Sequence, residues 1–469
     1  MKIKGVRRGG EIKQFPKAPK LRHLIGPSFI LLGLGLGSGE VILWPYLASN
    51  YGLGIIWAAV LGITFQFFMN MEIERYALVK GESVFVGFNR MWAGLPYWFM
   101  LSTFVGFVWP GMAAASAVMI GAVFGIARTE YIAIGLLVLT GLLFTLGPVL
   151  YHVVEKFQKT VIGISVPCIF ILTIYLAERA DWVALANGLI GRGDGYLFLP
   201  EGIALAVFLS AFAYSGAGGN LNLAQSFYIK EKGYGMGKYA AAITSPVTGA
   251  SQSQHTPSSR ARVEPTVENV KQFRAWWRKI NAEHALVFWM TGAATMVMLA
   301  FLAYLTTYGA PNTSASINFV LAEARGIASV APILGTLFLL AGGIMLLATQ
   351  IVVFESSSRI ISENIAIRRE SQGKVAHSRR LFYSVLWGFI GLGAIVLLAG
   401  FTEPRALLVL GAVINAFAML VHVTLTLILN KTQLAKAFRP AWWRQGIVVV
   451  IILFFTAFTG IVFWDRFFM

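Results

Sequence analysis

Residues 32–46 read LGLGLGSGEVILWPY. Four glycines, Gly33, Gly35, Gly37 and Gly39, run straight into Glu40 near the middle of an apolar stretch covering about 24–50. In hydrocarbon an ionised side chain and an unpaired backbone group are both costly, so a span with this content needs a reason for it. A second stretch, SAFAYSGAGGNLNLAQSF at 210–227, repeats the pattern: Gly216, Gly218 and Gly219 precede Asn220 and Asn222. Glycine-rich interruptions followed at once by a polar or ionisable residue suit helices that unwind beside a cavity, where half-helix N-termini carry positive dipole ends and freed carbonyls can hold a cation. The competing explanation is that small residues let neighbouring helices approach closely.

The rest of the chain supplies the frame. Of 469 residues, 57% are hydrophobic and 13% charged, and the mean hydropathy is +0.70, too apolar for a water-soluble protein of this length. Apolar runs at 24–50, 53–78, 98–125, 131–150, 157–177, 201–229, 284–308, 328–358, 381–400, 404–429 and 445–464 predict about eleven transmembrane helices, each near the roughly 20 residues a bilayer requires. None shows the alternation of barrel strands. The first run carries glycines and an acid and has no small-residue cleavage site after it, so it reads as a membrane helix and not a cleaved leader. The single cysteine, Cys168, excludes a disulfide framework and a thiolate metal cluster.

A net charge of +17 raises the question of nucleic acid, and position answers it. Of 38 Lys and Arg residues, 32 fall on one side of the predicted spans; the other side holds only Arg128, Arg179, Arg192, Arg325, Arg405 and Arg466. This is the positive-inside pattern. It predicts a multi-pass protein of the plasma (inner) membrane, with the N-terminus cytoplasmic, the C-terminus outside and the lipid bilayer, not nucleic acid, as partner. The glycine-broken spans are the first and the sixth. They correspond if spans one to five and six to ten are two repeats, and an odd number of spans per repeat makes the second copy inverted. The expected layout is a basic tail at 1–23, a first repeat at 24–177, a second at 201–429 containing a flexible cytoplasmic loop at 231–283, and an eleventh helix at 445–464. A monomer suffices for this plan.

Within the long loop, SQSQHTPSSRARVEP at 251–265 reads as a linker. Phe273, Trp276, Trp277 and Ile280 then recur at helical spacing among basic residues, suiting either an amphipathic surface helix or a basic extension of the seventh span. Glu72, Glu74 and Arg75 end the second span, and Glu355 ends the eighth beside Ser356, Ser357, Ser358 and Arg359. Both groups are candidates for gating or for plain surface ion pairs. Asn222, Asn415 and His422 either line a pathway or make interhelical hydrogen bonds. The Arg192–Gly193–Asp194 triplet lies in an outer loop beside Gly191 and Gly195, and a recognition role is not expected of it.

IGPSFILLGLGLGSGE at 25–40, followed by ASNYG at 48–52, resembles the opening of the Nramp family of divalent-metal transporters. The resemblance implies the LeuT-type inverted-repeat fold and a substrate site between the first and sixth spans, formed here by Gly37, Ser38, Gly39, Glu40, Ala217, Gly218, Gly219 and Asn220. Against the family's Asp-Pro-Gly-Asn stand Gly37, Ser38, Gly39 and Glu40; against its Met-Pro-His-Asn stand Ala217, Gly218, Gly219 and Asn220. Its third-span acidic pair falls on Trp109 and Met112, pathway positions without a titratable group here, and its tenth-span polar ligand falls on Ala412. Without a sulfur ligand, Mn²⁺ or Fe²⁺ is not expected. Glu40 is the one candidate metal ligand, which suits a hard cation such as Mg²⁺, with proton coupling altered or absent.

The Gly-Ser-Gly break also resembles that of amino-acid permeases. A small organic solute is therefore the alternative substrate, and a non-transporting sensor or scaffold on the same fold a further one. No HExxH pair, Cys/His cluster or nucleophile elbow is present, so neither an enzyme nor a cofactor is expected.

Overall fold

The computed structural model describes residues 11–20, 24, 26–146, 150–203, 205–240, 261–309, 317–375 and 378–468. Most of the basic tail and the centre of the long loop, 241–260, lie outside the described residues.

Ten helical stretches are long and apolar enough to cross a membrane. The sixth predicted span is absent from that count because it is in pieces: Leu205–Ala213, then a 3-10 turn Gly219–Ala224, then Gln225–Glu231. Span one is interrupted too, as Pro27–Gly35, a π-helical turn Ser38–Leu43 and Trp44–Tyr51. The fold is the LeuT-type arrangement of two inverted five-helix repeats with broken first and sixth helices, plus one further helix. Burial places these helices: span one is 94% buried, whereas span four is 28% and span eleven 22%. The broken helix is therefore the axis of the molecule, and the fourth and eleventh helices face lipid.

Span two is Trp57–Lys80, span three Leu95–Phe107 and Gly111–Phe124, span four Thr129–Leu146 and span five Leu150–Leu176. Span eight is a helix of 40 residues, Pro332–Ser371, followed by Ser378–Leu398, Pro404–Gln433 and Trp442–Phe468 as spans nine to eleven. Span eight packs along spans three, five and nine, and span one lies against spans five and eight. Span one therefore sits at the seam between the two halves.

Two expectations change. The long loop is more ordered than its composition suggests, because Val267–His284 continues through a π turn, Ala285–Met290, into Thr291–Thr307 as one extended span seven. Phe273, Trp276 and Ile280 are buried; they pack inward on the chain's own N-terminal segment and not on a membrane surface. Phe273 meets Phe15 and Phe438 edge-on, and the Trp276 indole donates to Pro16 O at 2.8 Å. Ile12 and Glu11 add a two-residue parallel pairing with Arg262 and Ala261. Glu72 and Arg75 are also buried, which removes the plain surface ion pair as one of the two readings of that group. The start of span eleven and the extension of span seven cover them: Arg444 Nε donates to Glu72 Oε1 at 2.8 Å, and Arg75 stacks 3.9 Å over the Trp277 ring.

Candidate functional site

In span six three glycines within four residues take backbone conformations that other residues rarely adopt: Gly216 (φ 149°), Gly218 (φ 72°) and Gly219 (φ 54°). The helix must end there, and the polar groups this frees are held by side chains from other spans. Gln66, in mid-span two, does most of it: its Nε2 donates to Ala213 O at 2.9 Å and its Oε1 accepts from Gly218 N at 3.2 Å. Asn415 of span ten donates to Gly106 O at 3.2 Å and to the Tyr214 hydroxyl at 3.0 Å, and a Cβ on Gly219 would lie 2.2 Å from its Oδ1. Asn220 donates to Ser102 Oγ at 2.8 Å and Thr103 Oγ1 at 3.0 Å on span three.

Span one is built differently. Its α-helix stops at Gly35, Gly37 N donates back to Gly35 O at 2.7 Å, and the chain resumes as a wide π turn at Ser38. The interruption is therefore at residues 36–37, and Gly39 and Glu40 already lie in its first resumed turn. None of Gly33, Gly35, Gly37 and Gly39 has positive φ. They serve close approach instead. A Cβ would come within 2.2 Å of Gln158 Oε1 at Gly33, 2.4 Å of Thr349 Cγ2 at Gly37 and 1.9 Å of the Tyr214 carbonyl oxygen at Gly39. At Gly35 it would lie 3.0 Å from Gly216 Cα, so the two breaks touch backbone to backbone.

Glu40 is fully buried, and among the described residues neither carboxylate oxygen has a hydrogen-bond partner. Its carboxylate lies between spans one and seven: Cβ atoms on Gly35 and Gly292 would be 3.5 and 3.6 Å from Oε1. Ile63 and Leu32 crowd the same glycine of span seven. Gly37, which stands where the resembling family has its aspartate, faces Thr349 of span eight. Thr349 Oγ1 in turn donates to Gly33 O at 2.9 Å. Glu40 and Gly37 thus point to different neighbours, span seven and span eight.

The other candidate positions separate into groups. Ala217, Gly218, Gly219 and Asn220 are buried in the span-six break, and Asn222 is buried with neither side-chain atom partnered among the described residues. Trp109 lies in the gap of span three at 108–110 with its indole donating to Val105 O at 2.9 Å, and Met112 is buried one residue into the second half. Asn415 belongs to the site; His422 is buried on the same helix. Glu72 and Arg75 form an ion pair at 2.7 Å closed by Arg444, away from the breaks. Glu74 instead accepts from Gln225 Nε2 at 2.6 Å.

Glu355 belongs to a latch that ties span six to spans five and eight. The three consecutive residues at the end of span six each pair across: Lys230 with Glu363 at 3.9 Å, Glu231 with Arg359, and Lys232 with Glu155 at 2.9 Å. Arg359 also pairs with Glu355, onto which the Tyr228 hydroxyl donates at 3.0 Å.

Gln66, Gln158, Tyr214 and Thr349 escaped the sequence reading. A lone amide in an apolar run is a usable signal for the two glutamines; nothing in the sequence separates Thr349 or Tyr214 from ordinary span residues.

Touching breaks in the first and sixth helices, held open by amide side chains around a buried carboxylate, define a membrane protein with the fold of inverted-repeat secondary transporters. No family model matches the sequence, and no curated protein matches it. Among solved structures the chain is similar to a manganese transporter of Eremococcus coleocola in complex with an aromatic bis-isothiourea substituted compound, at 13% identity and a TM-score of 0.67, covering 97% of this chain and 90% of that one. A mutant of the same transporter gives 0.69 over the same shares. The transporter MHP1, of the nucleobase-cation-symport-1 family, in a closed conformation with bromovinylhydantoin bound, is similar at 11% identity and 0.55, covering 97% and 96%.

Proposed function

We propose that this chain is a secondary active transporter of a small hard cation, of the Mg²⁺ type, with Glu40 as the group that meets the cation. The observation that carries this is the state of Glu40, a wholly buried carboxylate with two unpartnered oxygens and no charged side chain acting on it among the described residues. An isolated buried carboxylate is costly until something neutralises it. A proton or a passing cation does so, and exchange of one for the other is a coupling step. The side chains shown in contact with the breaks, Gln66, Thr349, Tyr214 and Asn415, offer oxygen atoms, which matches a cation that keeps its waters and takes few carboxylates.

An amino-acid substrate is less well supported. Its carboxylate would enter the glycine-lined break beside Glu40 and be repelled by it.

The test is thermal unfolding of the purified protein with Mg²⁺, Mn²⁺ and a panel of amino acids, together with Mg²⁺ flux into proteoliposomes. A ligand that binds only the folded state must stabilise it. Mg²⁺ is expected to raise the midpoint and to enter vesicles, both lost in Glu40→Gln, with Mn²⁺ bound poorly. Tight Mn²⁺ binding that survives Glu40→Gln, or stabilisation by an amino acid alone, would overturn the cation assignment. Binding without flux would make the chain a sensor.

A further inference from the structure

Two helical turns from Glu40 along span seven lies a second buried polar group that the cation reading does not use. Gly292 lies beside Glu40 and Phe288 beside Gly216, so that a Cβ added at either glycine would meet the other residue, and His284 stacks on Phe288 with ring centroids 4.7 Å apart. From Gly292 to His284 is roughly 12 Å at 1.5 Å per residue. His284 Nδ1 stands 2.8 Å from Ser28 Oγ and 3.4 Å from Glu74 Oε1. When Glu283 is ionised, the Ser28 hydroxyl donates to its Oε2 at 2.5 Å, and Nδ1–H of a neutral His284 imidazole then donates to Ser28, with Nε2 unprotonated.

Glu74, Glu283 and His284 are all buried, and four polar atoms of the cluster have no hydrogen-bond partner among the described residues: Glu74 Oε2, Glu283 Oε1, His284 Nε2 and Gln225 Oε1. Three of them are acceptors of a proton. The charges that reach the cluster come from several elements. Arg444 at the start of span eleven acts on Glu74, and Lys159 of span five and Lys232 after span six act on Glu283. Tyr234 lies close enough to feel both acids, but its hydroxyl donates to Leu24 O. None of the cations makes contact with either carboxylate among the described residues. The three groups do not assemble into a metal site.

We propose that Glu74, Glu283 and His284, joined through Ser28, form a proton-holding site shared by spans one, two and seven at the Lys/Arg-rich end of the molecule. Two neighbouring carboxylates out of water cannot both ionise without a cation, so at least one proton resides there. Ser28 bridges Glu283 to His284 Nδ1, which also faces Glu74 at 3.4 Å, so the protonation of one group is felt by the other two. The site goes beyond the cation reading of Glu40 and does not depend on it.

The test is pH-difference infrared spectroscopy of the protein in lipid nanodiscs, following the C=O stretch of protonated carboxyl groups in the unmodified protein and in Glu40→Gln, Glu74→Gln, Glu283→Gln and Ser28→Ala. A titrating band that persists in Glu40→Gln, disappears in Glu74→Gln or Glu283→Gln, and shifts its midpoint in Ser28→Ala is the expected result. If Glu40→Gln removes the only titrating band, the inference fails while Glu40 keeps its role. Should a glutamine variant not fold, Ser28→Ala decides: an unchanged midpoint overturns the site.

Discussion

Gln66 is one amide doing the work of a missing helical turn. It answers both the last carbonyl of the first half of span six and an amide of the unwound segment, so Gln66→Leu keeps the volume but strands two buried backbone groups. Each unsatisfied group costs about 1–3 kcal/mol. The variant should unfold at clearly lower temperature in detergent; an unchanged midpoint would mean that water, not Gln66, holds the break. The glycines make a sharper residue-scale case, because their neighbours differ. A methyl on Gly39 meets a backbone carbonyl that cannot move aside, whereas a methyl on Gly388 meets nothing within 4 Å. Gly39→Ala should therefore be strongly destabilising, and Gly388→Ala neutral or stabilising by up to about 1 kcal/mol, since alanine gives up less backbone entropy in a helix. Paired thermal melts check both.

At the scale of elements, the two glycine-rich spans look alike in sequence and differ in cause. Span six breaks because its glycines occupy left-handed conformations; span one bends through a π turn while its glycines admit Gln158, Thr349, Tyr214 and Gly216 at contact distance. Both explanations considered for such glycines therefore hold, one in each helix. The end of span six is then tied to spans five and eight by the Lys230, Glu231 and Lys232 pairs. These are unequal: the Arg359 and Glu231 side chains are each 2% exposed, but that of Lys232 is 24% exposed. Arg359→Gln leaves Glu231 and Glu355 buried without their cation, which should cost about 3–5 kcal/mol. Lys232→Gln removes a partly solvated pair worth at most about 1 kcal/mol. Comparing the two by thermal unfolding tests whether the latch is held from its buried side; equal effects would say it is not.

For the whole molecule, charge sets orientation. The 32 to 6 division of Lys and Arg predicts that residues 231–283 face the cytoplasm while 179–196 and the C-terminus face outside. Single cysteines at Ser253 and Gly195, introduced into a Cys168→Ser background, should react with a membrane-impermeant reagent from opposite faces of the membrane. Reaction of both from one face would reverse or break the topology.

Span number, the inverted repeat and the location of the two interruptions were legible in the sequence, because hydrocarbon thickness dictates span length and a glycine cluster beside a charge is too costly in lipid to occur without use. That Glu40 lies buried inside a span was legible for the same reason. The direction Glu40 faces was not: a residue's place along a helix is written in the chain, but whether it looks toward span seven or span eight depends on how that helix is rotated against its neighbours. The π turn at Ser38–Leu43 contributes to that rotation. Nor could spacing show that Ser28, Glu74, Gln225, Glu283 and His284 meet, since they come from four spans. The basic extension of span seven looked as much like a surface helix as a packed one, because an amphipathic face is the same whether it covers lipid or protein. Only the tertiary structure, by placing Phe15 and Phe438 against that face, decided which.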